Sequence, residues 1–237
     1  MTPTKVKTKV SNNRGEPVSR IAGSVAPQNS LSVGEREALG KAARAATPRE
    51  ALSELRLSPN RPDPIEILEK QAATRLQELL PIRYGRMQQS PFAFYRGAAA
   101  IMATDLRNSA RSGLEVQLCG DAHLSNFGFF ATPERSLVFD INDFDETLPG
   151  PWEFDLKRLA ASFAIVSKQV GHRERDVQKA ANTAVAAYQT EMARLATLPV
   201  IDIWHARIDE RDAVQWAARH GEEAQKRMHS AVKSAKS

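Results

Sequence analysis

Hydrophobic residues recur at helical spacing over most of the chain from Glu35 onward. The segment Thr47–Glu50 reads Thr-Pro-Arg-Glu, which places a capping residue first, Pro at the first helical position and Glu at the third. Asp63 precedes a Pro in the same way, and the apolar spacing after it predicts a helix over residues 63–80. A Ser-Pro pair predicts a third start, for a helix over residues 92–106. The first half of the chain is therefore predicted to be helical.

The pattern changes at Gly113, after which short apolar runs are separated by turn residues. Residues 115–118, 126–131 and 137–141 predict three strands, with a turn at residues 132–135 between the last two. These strands form a small central β element in an otherwise helical chain.

Helical spacing returns after a Pro-Gly-Pro segment that ends at Pro151. One apolar face runs from Leu156 to Val170 and ends at Gly171, which is suited to the position just after a helix. A second face covers residues 177–195, and the polar stretch after it is also expected to be helical. The predicted fold class is α+β, mostly helical with a small central β element.

The predicted domain organisation has two parts. Residues 1–34 are rich in Ser, Pro, Gly, Asn and Lys without periodicity, so we expect a disordered basic leader. Residues 35–237 are expected to form a single domain, whose acidic centre lies at residues 115–150.

Charge and composition argue against several classes of function for this protein. The net charge of +5 is concentrated near the two ends, and no basic stripe interleaved with aromatic residues is present, so specific nucleic-acid binding is not expected. One cysteine excludes an internal disulfide framework and favours a reducing compartment. The longest apolar runs are too short to span a bilayer, and no apolar signal segment follows the basic start. We therefore expect a cytoplasmic protein that does not bind membranes.

The central strands carry four aspartates beside apolar runs, where an unpaired carboxylate is unfavourable. Arg135 is the only Lys or Arg between Asp121 and Trp152, so basic side chains from this segment offer little neutralisation. A divalent cation is the expected counter-charge. The aspartates are Asp121, Asp140, Asp143 and Asp145.

The order of these residues suits phosphoryl transfer. Asp121 lies in a loop after one strand and would accept the proton of the attacking hydroxyl, and Asn126 lies five residues later. Asp143 follows another strand, and with Asn126 it would bind the metal ion, with Asp145 as a further ligand. Oxygen ligands of this kind favour Mg²⁺ over Zn²⁺.

Two resemblances follow from these segments. The run Gly120-Asp121-x-His123-x-x-Asn126, followed by Asp-Phe-Asp at residues 143–145, resembles the catalytic loop and metal strand of the protein-kinase-like superfamily, in its aminoglycoside and choline phosphotransferase branch. From about residue 83 to 211 the chain resembles the bacterial family called domain of unknown function 2252. The first resemblance implies a fold like the C-terminal lobe of a kinase, with ATP and Mg²⁺ as cofactors and Asp121 and His123 in the catalytic loop.

The chain departs from the kinase pattern in three respects. Cys119 stands where a His is usual, and Asn142 precedes the metal-binding Asp. No Gly-x-Gly-x-x-Gly segment is present, and Lys70 is the only lysine between residues 41 and 157. The resemblance implies that the Gly-rich segment and the lysine lie beyond Ser237, so we expect a shortened member.

Each candidate residue also has a structural interpretation. Asp121 could cap its turn, His123 could shape the loop, and Asn126 could brace it with its amide. Asp140 could equally cap the end of a strand. Arg96 could bind phosphate as a cofactor-binding residue or could form an ion pair with the acidic centre.

Three residues near the candidates are expected to be structural. Lys157 and Arg158 are expected on a solvated helix face or paired with Asp155, and Cys119 is expected to be buried.

The expected function is ATP-dependent, Mg²⁺-assisted phosphoryl transfer to the hydroxyl of a small-molecule substrate. Two alternatives remain open. One is a non-catalytic member that binds a nucleotide or a protein, and the other is a metal-dependent hydrolase that uses the same acids with His123.

Overall fold

The structure is a computed structural model that describes residues 31–236. The chain divides into two compact units, one ending at Gly40 and the other starting at Lys41. The first helix is α1 (Val33–Ala46). It begins two residues before the predicted start at Glu35. Residues 1–30 of the predicted leader lie outside the described residues.

Five short helices follow in the second unit, and two of their predicted starts are confirmed. Asp63 Oδ1 accepts a hydrogen bond from the amide of Ile65 at 2.7 Å, and Ser90 Oγ accepts one from the amide of Ala93 at 3.1 Å. The prediction for Thr47 as a cap is wrong, because its hydroxyl donates to a carbonyl 64 residues away instead. The helices are α2 (Arg49–Leu52), α3 (Pro64–Ala72), α4 (Leu80–Met87), α5 (Pro91–Arg96) and α6 (Ala99–Asp105).

Both long helices predicted for this region are interrupted. The first stops at Ala72, and a 3₁₀ turn (Gln77–Leu79) separates it from α4. The second is divided at Gly97, where a Cβ atom would lie 2.6 Å from the sulfur of Met87. After the break α6 packs on α3, beside a core of buried side chains to which α4 also contributes. These are Leu68, Met87, Ala98 and Ile101.

The strands form two small antiparallel sheets. The first sheet pairs β1 (Glu115–Leu118) with β4 (Leu148–Pro151), and the second has the order β2-β3-β5. Its members are β2 (Phe127–Ala131), β3 (Leu137–Ile141) and β5 (Ile208–Asp209). The first three predicted strands are therefore confirmed to within a residue. β4 and β5 were not predicted, since β4 contains two prolines and β5 has two residues.

The helices after the sheets begin with α7 (Glu153–Gln169), which packs most extensively on α8 (Glu174–Leu195). Gly171, with φ of +84°, ends α7 as predicted, because the amide of His172 bonds to the carbonyl of Ser167 at 3.1 Å and the amide of Gly171 to that of Lys168 at 3.0 Å. The remaining helices are α9 (Val200–His205), α10 (Glu210–Arg219) and α11 (Glu222–Ala235).

The predicted fold class is confirmed: the protein is a mostly helical α+β protein with small antiparallel sheets. Within residues 31–236, every helix is too short or too polar to cross a bilayer.

Candidate active site

The loop between β1 and β2 begins at Gly120, where the chain adopts a backbone conformation that favours glycine. Its φ is +83°, and a Cβ atom here would collide with the main-chain carbonyl of Glu146. The carboxylate of Asp155, on α7, accepts hydrogen bonds from the amides of Cys119 at 2.7 Å and Gly120 at 3.1 Å. Burial raises the pKa of Asp155, and these two amides act in the opposite direction. The start of the loop is thus fixed to α7.

Asp121 forms an ion pair with a buried arginine. Arg158 Nε donates to Asp121 Oδ1 at 2.6 Å, and its terminal nitrogen lies 2.5 Å from the same oxygen. The arginine side chain is 4% exposed and that of Asp121 is 22% exposed. The pair is therefore largely shielded from water, so one partner without the other would be costly.

Arg158 also binds the end of α5. Its guanidinium donates to the carbonyl of Tyr95 at 2.9 Å and lies 4.4 Å from the centre of the Tyr95 ring. The Tyr95 hydroxyl donates in turn to the carbonyl of Arg158 at 2.8 Å. Burial raises the pKa of Tyr95 to about 12. The prediction that Arg158 lies on a solvated face or pairs with Asp155 is wrong.

Asn126 joins the two acidic segments. Its Nδ2 donates to the carbonyl of Asp121 at 3.1 Å and to the carbonyl of Asp143 at 3.0 Å, and its side chain is buried. The carbonyl of Asn126 accepts from the amide of Asn142 at 2.9 Å. Asp121 and Asp143, which are 22 residues apart in sequence, thus contact the same amide group. The loop-bracing interpretation of Asn126 agrees with these bonds.

His123 is buried against Phe92, with the two rings edge to face at 6.0 Å. Its Nδ1 lies 3.3 Å from the hydroxyl of Ser125, and its Nε2 lies 3.6 Å from Asp121 Oδ2. Burial lowers the pKa of His123; the charge of Asp121 opposes this effect, and that of Arg158 adds to it. The neutral imidazole is therefore the favoured form.

The other predicted ligands are exposed. Asp143 Oδ1 accepts a hydrogen bond from the amide of Asp145 at 3.0 Å, which forms a local turn. Asp140 Oδ1 accepts one from the amide of Ile141 at 2.8 Å, in agreement with a capping role. Both Asp143 and Asp145 have exposed side chains, and Asp143 is the one whose main chain is bonded to Asn126.

Two arginines act on this site through their charge. Arg96 is exposed, and its charge lowers the pKa of His123 after the larger effects of burial, Asp121 and Arg158. The predicted ion pair of Arg96 with the acidic centre is not found among residues 31–236, which leaves its guanidinium available to an anion. Arg83 donates to the carbonyl of Gly97 at 2.7 Å. Burial lowers the pKa of Arg83, and the charges of Glu146 and Asp121 oppose that effect.

Two of the candidate metal ligands, Asn126 and Asp143, have side-chain oxygens that take no part in the hydrogen bonds described above. Within the described part of the chain, no group of three or more His, Cys, Asp and Glu side chains could hold a metal ion. Mg²⁺, however, is commonly bound by one or two carboxylates together with substrate phosphates and water. The hydrogen bonds of Asn126 use Nδ2 and leave Oδ1 available as a metal ligand, and the turn at Asp143 uses one of its two carboxylate oxygens.

Sequence reasoning missed the residues of α5 and α7 that hold the loop. Ser162 is fully buried, and its hydroxyl accepts from the amide of Leu124 at 3.0 Å. With Asp155 and Arg158 it forms a polar series at spacings of three and four residues on α7. A polar stripe of that spacing within an apolar helix is a signal that could have identified this face.

The protein is thus a mostly helical α+β protein in which one polar face of α7 holds the acidic loop between two small sheets. The model of the family described as "Uncharacterized protein conserved in bacteria (DUF2252)" matches residues 75–237, and the chain belongs to this family. Comparisons with curated proteins and with solved structures gave no match.

Proposed function

We propose that this protein is a Mg²⁺-dependent phosphotransferase that uses ATP to phosphorylate a hydroxyl group of a small molecule. The observation that carries the proposal is the double hydrogen bond of Asn126 to the carbonyls of Asp121 and Asp143. It holds together two acidic segments with the residue types and order that phosphoryl transfer needs. The kinase-like resemblance of these segments supports the same reaction class.

Asp121 is the proposed base. Its Oδ1 is bound to Arg158, which fixes the orientation of the carboxylate. Its Oδ2 has His123 as a neighbour at 3.6 Å, which is too long for a hydrogen bond, so this oxygen can accept the proton of a substrate hydroxyl. His123 lies beside it as a neutral group and adds no competing positive charge. Asp121 would therefore face the acceptor, with His123 beside it.

The remaining candidates would hold the donor. Asp143 and Asn126 Oδ1 would bind Mg²⁺, with Asp145 as a further exposed carboxylate nearby. When bound, Mg²⁺ would neutralise negative charge on the transferred phosphoryl group. Arg96, whose guanidinium has no ion-pair partner within residues 31–236, would bind a phosphate oxygen. The one cysteine of the chain supports a reducing, cytoplasmic compartment for this reaction.

One observation favours a second candidate, a non-catalytic member that binds a nucleotide without turnover. Arg158 already offsets the charge of Asp121, so this carboxylate needs no metal ion for stability. In that case the Asp121–Arg158 pair holds the fold, and nucleotide binding depends on Asp143 and Arg96 alone.

The test is transfer of the γ-phosphate of ATP by the purified chain, with Mg²⁺ and a panel of small-molecule alcohols. Asp121→Asn should abolish transfer and keep Mg²⁺-dependent ATP binding, while Asp143→Ala should weaken both. Asp140→Asn is the matched control, because Asp140 is an exposed aspartate of β3 whose carboxylate contacts its neighbouring amide. ATP binding without transfer in the wild-type chain would support the second candidate and contradict the first.

A further inference from the structure

A cleft of about 480 Å³ lies away from the candidate active site, between the β2–β3 turn, β5, α10 and the end of α11. Its volume falls within the range of about 300–1,000 Å³ that small-molecule sites occupy. No residue of the acidic loop lines it. The charged side chains that line the cleft are Arg135, Arg207, Arg211, Lys236, Asp209 and Glu210.

The two acidic side chains of this cleft already have partners. Asp209 Oδ1 accepts from the amide of Asp212 at 3.0 Å, where it caps α10. Its pKa is lowered first by this hydrogen bond and further by the charges of Arg211 and Arg207. Glu210 pairs with Lys236 at 2.6 Å. Both carboxylates are thus engaged at the margins of the cleft.

The three arginines of the cleft lack ion-pair partners among the described residues. Within residues 31–236, none of Arg135, Arg207 and Arg211 forms an ion pair, although all three line one cleft. Together with Lys236 and the two acids they give the cleft a net charge of plus two. A phosphate monoester carries about −1.5 to −2 at neutral pH. Its charge therefore complements that of the cleft, and guanidinium groups bind phosphate oxygens in pairs.

The backbone at Arg135 supports a role for its side chain. Its φ is +61°, which makes it the non-glycine residue with a left-handed conformation among those described. Glycine or asparagine would be favoured in this turn, where the amide of Arg135 bonds to the carbonyl of Thr132 at 2.8 Å. An arginine in this conformation costs stability, and its guanidinium is one of the groups that line the cleft.

We propose that this cleft is a binding site for a phosphate-bearing small molecule, held by Arg135, Arg207 and Arg211. The site shares no residue with the proposed phosphotransferase centre, so either proposal can fail without the other. A carboxylate ligand would meet the same guanidinium groups, and comparing phosphate with acetate separates the two chemistries by their charge and geometry.

The experiment measures thermal stabilisation and calorimetric binding of the full chain with inorganic phosphate and pyrophosphate, at constant ionic strength set with KCl, and with acetate as the carboxylate probe. The proposal predicts saturable stabilisation by phosphate and pyrophosphate that exceeds the effect of acetate. The double variant R207Q/R211Q should bind phosphate about tenfold more weakly or worse. Arg219→Gln is the control for the Arg211 substitution, since it removes one positive charge from the same helix outside the cleft.

Arg135→Gly gives an independent test, because glycine relieves the left-handed conformation. This variant should be at least as stable as the wild type without ligand and should still lose phosphate-dependent stabilisation. Equal effects of phosphate and KCl would overturn the proposal, as would acetate binding as tightly as phosphate. Undiminished phosphate binding in both Arg135→Gly and R207Q/R211Q would also overturn it.

Discussion

Arg158 and Asp121 form an ion pair that joins α7 to the acidic loop, with Nε 2.6 Å from Oδ1. The arginine comes from 37 residues further along the chain. It also binds the carbonyl and the ring of Tyr95. One buried cation thus holds three segments together, and it fixes the carboxylate that we propose as the base.

Replacing this cation should be strongly destabilising. Arg158→Met leaves Asp121 partly buried without a partner, and we expect the free energy of unfolding to fall by about 3 kcal/mol in urea titrations. Arg173→Met removes an exposed arginine that lies 3.6 Å from Asp176, and the expected loss is below about 1 kcal/mol. The double variant D121N/R158M should recover part of the loss. Equal, small effects of both arginine substitutions would contradict the buried pair.

Gly120 should tolerate no side chain, for two separable reasons. Gly120→Ala has to adopt φ of +83° and to displace the carbonyl of Glu146. We expect a loss of about 3 kcal/mol or more in unfolding free energy. Gly113→Ala is the control, because Gly113 has φ of +80° with open space around it, and should lose about 1–2 kcal/mol. If the two variants were equally stable, the close approach of Glu146 would be refuted.

Asn126→Asp separates bracing from metal binding. The substitution keeps an oxygen ligand but replaces the Nδ2 that donates to Asp121 and Asp143 with a second oxygen. We expect a stability loss of about 1–3 kcal/mol by thermal or urea unfolding, because the carbonyls of Asp121 and Asp143 would lose their hydrogen-bond donor and face a carboxylate oxygen instead. Asn108→Asp, on the exposed end of a 3₁₀ turn, should change stability little. Unchanged stability in Asn126→Asp would mean that the amide does not hold the two segments together.

His123 should make the protein less stable in mild acid. Its pKa in the folded state is lowered by burial, so the unfolded chain binds a proton more readily. The contribution of neutral His123 to folding stability is fully present above its unfolded-state pKa of about 6.5. It is lost as pH falls toward the lower pKa of His123 in the folded state. His123→Gln should flatten this part of the curve of unfolding free energy against pH. Asp155, whose pKa is raised by burial, contributes equally to the wild-type and His123→Gln curves, so the difference between them reports His123 alone. Parallel curves would contradict a buried neutral imidazole.

The sequence predicted helix ends well where a capping residue sets them, and strands well where apolar runs lie between turn residues. Asp63, Ser90 and Gly171 are at the predicted helix ends, and the first three strands are confirmed. The interruption at Gly97 was not predicted because it depends on contact with Met87, which only the tertiary packing brings close.

The candidate site was also predicted only in part, again because some of its contacts depend on tertiary packing. The order of Asp121, Asn126 and Asp143 indicated that they belong together, and the bonds of Asn126 join their segments. The expected lack of a basic partner was wrong for Asp121, because the neighbourhood in sequence does not include α7. Arg158 lies outside the acidic segment and comes close through the packing of α7 on α5.

The most direct test of the proposed function follows the γ-phosphate of labelled ATP in the purified wild-type chain and in Asp121→Asn, with Asp140→Asn as control. The proposal predicts Mg²⁺-dependent transfer to an alcohol acceptor that is lost in Asp121→Asn, with the fold retained by circular dichroism, and kept in Asp140→Asn. Transfer that continues at the wild-type rate in folded Asp121→Asn, or an absence of transfer by the wild-type chain to every acceptor tested, would contradict it.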